Sequence, residues 1–385
     1  MQILRSRLTG FRNLADVELE FSSGVNLFIG DNGQGKTNIL EALNFLALGR
    51  SHRGAKAEEL IRFGDHHLHV SLTLLDDQGT EHSYEFGLDR DGSRRIRLDG
   101  EAVSRRADLV GNLATVFFWP ESIELVRGGP ETRRRFADQA LSGIDPVYLI
   151  ALTAYQRALR QKTRLLRDVQ RGLRQASSAA EELHSWNEEL ARQAAVVVPG
   201  RVDWAKRLEP HASAGYAALA GVDQLLNFEY HPRLTAAAQN PENEHYERDI
   251  LTEIDYISPD EFRRGRPLTG PHLDDFEVSL TNAEANNEKL DLRVYGSQGE
   301  TRTAAISLIL AQSDVVYQQR QVRPVLFLDD IFSELDRDRA RRLQERCAMN
   351  HQIFIATART DDVDGWQPDS VSRWHVTGGE LSRLS

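Results

Sequence analysis

The sequence predicts an α/β fold: strand-rich segments with mixed sheets at both ends of the chain, and between them a mainly helical second lobe with a short antiparallel helical hairpin. Three observations predict it. From Met1 to about Trp119 apolar residues alternate or run in short blocks, after Pro146 they change to alternating three- and four-residue steps, and from Leu290 onward strand signals return. A glycine loop of phosphate-binding form follows the third strand-like run.

In the first segment, Ile3 to Leu8, Val17 to Phe21 and Val25 to Ile29 read as strands, as do Leu68 to Leu75 and Ser83 to Leu88 around the turn Asp77-Gln78-Gly79. In the second, Leu152, Tyr155, Leu159, Leu166, Val169 and Leu173 form a helical seam broken only by Lys162. Leu183, Trp186, Leu190 and Val197 repeat the spacing after a break at Ser177-Ser178. The first helix, from about Pro146 to Gln175, would span roughly 45 Å at ~1.5 Å per residue. Pro199-Gly200 is expected to kink or end the second helix, and Gln239 to Glu244 to form a surface loop. A chain that leaves a sheet, builds an arm and returns implies a discontinuous head over 1–119 and 300–385. The helical lobe then covers 120–299, with its arm at about 146–215.

With 385 residues, 40% hydrophobic and 27% charged, the chain can bury a sizeable core. One cysteine permits neither an internal disulfide nor a cysteine-based zinc site. No secretory-type apolar stretch and no run of about 18 apolar residues occurs, so a cytoplasmic location without a membrane partner is expected. A net charge of -11 argues against coating nucleic acid by bulk electrostatics, so any DNA contact must be local.

Gly30-Asp31-Asn32-Gly33-Gln34-Gly35-Lys36-Thr37 fits G-x-x-x-x-G-K-[ST] at every position, behind the strand Val25 to Ile29 and ahead of the helical run Asn38 to Leu48. The glycines let successive N–H groups point at a phosphate, and the helix adds its positive end. ATP and Mg²⁺ are the implied cofactors, with Lys36 bridging the β- and γ-phosphates and the Thr37 hydroxyl ligating the metal. Val325 to Leu328 is a buried-strand run closed by Asp329 and Asp330. Beside the glycine loop, Asp329 would hold Mg²⁺ through a water and Asp330 would orient the attacking water. Tyr295-Gly296-Ser297-Gln298-Gly299-Glu300 leads into a helix over Thr301 to Ala311 and offers a hydroxyl and bare N–H groups to an anion. Taken alone, it reads equally as an ordinary capped helix.

In chain order, Gly30 to Thr37, Ser297 to Glu300, Leu326 to Asp330 and Ser333-Glu334-Leu335-Asp336 resemble the Walker A, signature, Walker B and D-loop series of ABC-type ATPases. Phe11-Arg12-Asn13-Leu14, Gly270 to Phe276 and the Ser-Gln-Gly signature narrow the resemblance to the RecF family, over essentially the whole chain. The resemblance implies an ABC-type P-loop ATPase head whose copies pair around ATP. Ser297, Gln298 and Gly299 would then act on nucleotide held by the other copy, Asp336 would sit at the dimer seam, and Arg12 would lie on the nucleotide phosphates. It further implies recombinational and replication-gap repair, with aid to recombinase loading and the SOS response, and duplex DNA or gapped single-/double-strand junctions, RecO and RecR as partners. Glu300 departs from the family's usual Gln, and its carboxylate must turn away from a triphosphate. Thr357 stands at the strand end where transporters carry a switch histidine, so slow hydrolysis is expected. The alternatives are a transporter-type ABC subunit, which would show Ser-Gly-Gly-Gln and lack the arm, and a chromosome-structuring ATPase, which the short arm disfavours.

Arg157, Arg160, Arg164, Arg167, Arg171 and Arg174 recur at three- and four-residue steps opposite the apolar seam. Such a stripe suits the solvated outside of a hairpin or a DNA backbone that relieves the mutual repulsion. Arg105-Arg106 and Arg133-Arg134-Arg135 are lesser candidates, the second set also able to hold the two lobes together. His272, Asp274 and Asp275 fit a structural turn better than a metal site without a fourth ligand.

Overall fold

The computed structural model describes residues 1–49, 51, 53–103, 113–235, 245–282, 288–347, 352–359 and 371–384; Arg105-Arg106 and the tract from Gln239 to Glu244 lie outside them. In chain order the first stretch contains β1 (Gln2–Thr9), β2 (Val17–Glu20), β3 (Val25–Ile29), α1 (Lys36–Leu48), β4 (His67–Leu75), β5 (Glu81–Asp89), β6 (Arg94–Leu98), β7 (Glu101–Ala102) and β8 (Thr115–Phe118). The middle contains α2 (Glu124–Arg127), α3 (Pro130–Ile144), α4 (Pro146–Gln170), α5 (Ala176–Ala220), β9 (Gln224–His231), α6 (Tyr246–Arg264), β10 (Asp275–Asn282), β11 (Lys289–Asp291) and α7 (Leu292–Tyr295). The last stretch contains α8 (Gln298–Arg320), β12 (Val325–Asp329), α9 (Arg337–Cys347), β13 (Ile353–Thr357), β14 (Val371–Thr377) and β15 (Glu380–Leu384). Two compact units result: Met1–Ile123 with Ala214–Asp223 and Gln298–Ser385, and Glu124–Ser213 with Gln224–Ser297. The inclusion of Ala214–Asp223 in the first unit has no sign in the sequence.

The first unit has the ABC-type head architecture, with α1 between two sheets. Residues of β4 and β5 alternate between core and solvent, because their antiparallel sheet, in the order β2-β1-β4-β5-β6-β7, covers the core with one face. β3, β12 and β13 are buried along their whole length in the second sheet, ordered β15-β14-β3-β13-β12-β8, where only β15 is antiparallel. Apolar side chains around much of α1, among them Ile39, Leu40, Leu43 and Leu46, fill one core with Leu72 and Phe86 of the first sheet and Phe327 and Phe354 of the second. Each such burial contributes roughly 1.5–3 kcal/mol. Because β13 lies between β3 and β12, the carboxyl ends of the three strands bring Gly30, Thr357 and Asp330 to one edge of the sheet.

The second unit is mainly helical and adds the antiparallel sheet β11-β10-β9. Its core joins Tyr155 and Ala158 of α4, Ala191, Ala194 and Val198 of α5, and Ile250 and Ile254 of α6. The seam differs from the sequence expectation in two places. α4 stops at Gln170, so Leu173 lies beyond it and is exposed. α5 begins at Ala176, which puts Ser177 and Ser178 in its first turn rather than in a break. It also continues past Pro199-Gly200 and Pro210. Each proline removes one helical hydrogen bond, yet burial of Val197, Val198, Trp204 and Ala205 on both sides holds the helix, and Gly200 lets it approach the Tyr148 ring, where a Cβ would sit 2.9 Å from Cδ2.

Lys162, the interruption in the seam, is buried and pairs with buried Glu261 of α6 at 2.7 Å. A second buried network centres on Arg201 of α5, which holds Asp138 of α3 at 2.9 Å and Asp274 at 2.9 Å and donates to the Pro271 carbonyl at 2.7 Å. Tyr230 also donates to Asp274. Arg133 makes a two-pronged pair with Asp275 (2.8 and 3.1 Å) and Arg134 donates to the Asp274 carbonyl, so both act inside this unit, while Arg135 is exposed. His272 is a structural residue as well, its Nδ1 2.7 Å from the Tyr155 hydroxyl. Among the described residues no group of three or more His, Cys, Asp and Glu side chains is placed to hold a metal ion.

Burial first, then the positive charges of Lys162, Arg134 and Arg201, push the His272 imidazole down to about 3. Its folded value lies below its unfolded one, so the unfolded chain takes the extra proton. Stability is therefore expected to fall as pH drops from about 6.5 toward 3, by up to ~1.4 kcal/mol per pH unit from this group. Urea unfolding at about pH 7 and about pH 5 should show a shallower loss for His272→Gln than for the wild type, and equal losses would contradict the assignment.

Candidate functional site

The glycine loop joins β3 to α1, and its last turn is set by Gly35, whose φ of 113° lies in the left-handed region and lets its carbonyl start the α1 ladder through Ile39 N–H. Lys36 opens the helix and is nearly buried. Its Nζ donates to the carbonyls of Gly30 (2.6 Å) and Asp31 (2.9 Å). Burial lowers the Lys36 pKa, opposed by the negative charges of Asp330, Asp329 and Asp31. The loop is braced from outside: Gln34 Oε1 accepts from Gly378 N–H, and Gln34 O accepts from Gly379 N–H at 2.9 Å. Asn13 Oδ1 accepts from the Asn38 amide at 2.7 Å.

Thr37 Oγ1 donates to Asp329 Oδ1 at 3.0 Å, joining the helix start to the end of β12. The Asp329 carboxyl is pushed up to about 6, by burial first and by Asp330 in addition, while the Thr37 hydrogen bond, Arg53 and Lys36 pull it down. Asp330 follows with a φ of 50°, an uncommon conformation for a residue with a side chain, and its N–H donates to Ala356 O at 2.8 Å. Its Oδ1 is buried without a hydrogen-bond partner among the described residues. A buried carboxylate oxygen of that kind fits a ligand or water, because leaving it bare costs free energy.

The donor set therefore fits Mg²⁺ and a triphosphate: a curled loop at a helix N-terminus, a lysine ammonium, a hydroxyl, and two acids at the end of β12, one strand removed from β3. Thr357 is buried beside them at the end of β13, in register with Ile29, and its hydroxyl lies 3.3 Å from the Arg359 carbonyl and 3.2 Å from the Arg359 amide. Arg12, expected on the phosphates, is gripped through Nε (2.7 Å) and Nη2 (3.0 Å) by Glu41 of α1, which is fully buried. Sequence reading missed Glu41 and Arg53. The available signal for Glu41 was a single acid within the apolar run Ile39-Leu40-Glu41-Ala42-Leu43; Arg53 gave none.

The signature residues stand at the start of α8. Ser297 and Gln298 are exposed, the Gln298 carbonyl accepts from the Thr301 hydroxyl and the Gly299 carbonyl from the Thr303 hydroxyl. The compact units divide between Ser297 and Gln298. Asp336 caps α9, its Oδ1 accepting from Arg339 N–H at 2.9 Å while Oδ2 pairs with the Arg339 guanidinium at 3.2 Å. The charge of Glu300 acts on Tyr216: after burial it is the main cause that raises this phenol to about 12, and Arg339 opposes it.

On α4, Arg157, Arg160, Arg164 and Arg167 are exposed, as is Arg171 at its C-terminal end, and none of them has an ion-pair partner among the described residues. Arg174 lies beyond the helix, pairs with Glu182 and donates to the Ser178 carbonyl.

A family model described as RecF/RecN/SMC N terminal domain matches residues 2–373. The DNA replication and repair protein RecF of Heliobacterium modesticaldum is 34% identical over 390 residues, covering 100% of this chain and 99% of that protein. Among solved structures, the chain is similar to the recombination mediator protein RecF-ATPrS in the RecFOR pathway, with a TM-score of 0.88, 28% identity and coverage of 100% and 98%. It is also similar to the RecF-ATP structure of that pathway, with a TM-score of 0.86, 28% identity and coverage of 100% and 97%.

Proposed function

The chain belongs to the RecF family of DNA replication and repair proteins, and from that premise we propose that it is a DNA-binding ATPase of recombinational and replication-gap repair whose copies pair on DNA when ATP is bound. One observation carries the reading. Ser297 and Gln298 are exposed at the start of the 23-residue helix α8, as a signature that reads nucleotide on a second copy requires.

The N–H groups of Gly33 to Thr37 and the Lys36 ammonium hold the triphosphate. Thr37 and Asp329 would hold Mg²⁺, which when bound neutralises phosphate charge. Asp330 orients the attacking water with its unpartnered Oδ1, and Glu41 fixes the direction of the Arg12 guanidinium that serves the phosphates. Ser297, Gln298 and Gly299 read the γ-phosphate from the other copy, and Asp336 lies at the seam between them. Hydrolysis is slow because Thr357, a neutral hydroxyl already engaged with Arg359, replaces a titratable sensor. ATP acts as a switch whose reach is set by the differential affinity of the paired and single states.

The exposed arginines of α4 serve the DNA backbone. RecO and RecR are proposed as partners, with recombinase loading and the SOS response as the processes served, because solved structures of this family are described within the RecFOR pathway. A cytoplasmic location is proposed on the same ground; among the described residues no helix is long and apolar enough to cross a membrane.

Light scattering tests the switch. Mg-ATP, but not ADP, is expected to double the mass of the wild type, whereas Ser297→Arg should still bind ATP and stay single. A variant that still doubles, or a wild type that never does, would sink the model.

A further inference from the structure

The segment between Asp330 and α9 is fixed at both ends. The Ser333 hydroxyl donates to the Asp330 carbonyl at 2.9 Å, and Asp336 starts α9, its carbonyl accepting from Ala340 N–H at 2.9 Å. Asp336 Oδ1 takes the Arg339 N–H, as a helix cap does. A cap needs nothing more. Yet the Arg339 side chain folds back over it: Nη1 lies 3.2 Å from Asp336 Oδ2, and the same nitrogen lies against Gly299, where a Cβ would sit 3.1 Å from it and 3.8 Å from Cζ and Nη2. One guanidinium therefore rests both on the D-loop acid and on the signature glycine, which belong to different helices of one compact unit.

This contact accounts for a glycine at position 299. Gly299 lies in the first turn of α8 and outside the left-handed region, so its backbone conformation does not call for glycine. Within a helix glycine is less favourable than alanine, but here the missing Cβ leaves the space that the guanidinium takes. An alanine would push the end of Arg339 aside and loosen its bond to Asp336. Folding gains little from the pair, because the two side chains are 30% and 56% exposed. What the pair fixes is geometry. A planar fork can lie flat on a bare backbone while its edge holds a carboxylate, which a lysine ammonium cannot do. The Arg339 charge also works against that of Glu300, the two acting with opposite sign on the Tyr216 hydroxyl.

We propose that Arg339 is a positioning residue for the pairing of copies: it locks Asp336 to Gly299, so that the D-loop and the signature of one copy meet the nucleotide of the other as a single preset surface. The inference rests on the reading that copies pair around ATP, and it names the residue that prepares their contact surface. Without the lock, the two segments would have to be ordered separately at the moment of pairing, an entropic cost that preorganisation avoids. A symmetric pair contains the lock twice. About threefold per site, the size of one exposed charge pair, thus becomes about tenfold in the pairing constant.

The test is the ATPase rate of the full chain at saturating Mg-ATP as a function of protein concentration, beside light scattering over the same range. Arg339→Gln is expected to move the midpoint of both curves to about tenfold higher protein concentration, while the plateau rate, the ATP affinity of the single copy and the melting temperature stay at wild-type values. Combining Asp336→Asn with Arg339→Gln should lose less than the product of the two single losses, since either change opens the same lock. A midpoint within about twofold of the wild type in Arg339→Gln would overturn the proposal. So would a lowered plateau with an unmoved midpoint, which marks a merely structural role, or a double variant that loses the full product. A wild type that stays single at every concentration would overturn the pairing reading and the proposal with it.

Discussion

Replacing Lys36 by Ala is expected to weaken ATP binding by at least about 100-fold, since charge-assisted hydrogen bonds to phosphate contribute ~1.5–3 kcal/mol each and this ammonium can make more than one. The side chain is 7% exposed and donates to two loop carbonyls, so its position is set before any ligand arrives. Removing it leaves the loop N–H groups without the one side-chain cation that opens α1. Asp330→Asn provides the contrast: it should bind ATP as the wild type does and lower turnover by roughly 10²- to 10⁴-fold, the range for loss of a positioned general base. Titration calorimetry with ATP and a phosphate-release assay measure the two effects. Binding by Lys36→Ala within about threefold of the wild type would contradict the role given to the ammonium.

The other large effect is expected far from the nucleotide site. Arg201 is almost fully buried and neutralises both Asp138 and Asp274, so Arg201→Met preserves most of the volume and strands two carboxylates in a dry interior. Breaking a buried pair in this way costs about 3–5 kcal/mol. Trp204 is buried one turn further along α5 and packs edge-on against Phe228 and Phe276, so its near-UV signal reports this unit during urea unfolding. Adding Asp274→Asn to Arg201→Met should recover part of the loss, because it removes one stranded charge. A single-variant effect below about 1 kcal/mol would mean that water reaches the network and that the pairs do not hold the lobe together.

How much of this was open to sequence reading depends on the range of the interactions involved. The glycine loop is a local object: Gly35, Lys36 and Thr37 act through a turn and a helix start that neighbouring residues create. The pairing of Asp329 with Thr37 could be anticipated because a phosphate loop needs a metal partner, and the parallel sheet that places them together is foreshadowed by the uninterrupted apolar runs of β3, β12 and β13. The arm is legible from its period and its start at Pro146 agrees with the structure, but the turn between its helices lies a few residues earlier than the period suggests. Gly172 ends α4 through a backbone conformation rather than a change of period, and of the two outcomes expected at Pro199-Gly200, a kink or an end, the end does not occur, because burial on both sides outweighs one lost hydrogen bond. The ion pair of Arg174 was likewise hidden from the sequence, since its acid, Glu182, lies on the next helix.

By itself the amino-acid sequence determined the class of fold, the phosphate loop, the two acids and the family, because each rests on contiguous residues or on a fixed order of short motifs. Only the tertiary structure decided that Glu41 holds Arg12, that Glu261 matches the lysine in the apolar seam, and that Arg201 unites two distant acids. Each of those is a meeting of side chains from separate elements, and the free energy that selects it depends on burial, a property of the folded surroundings that no single segment contains.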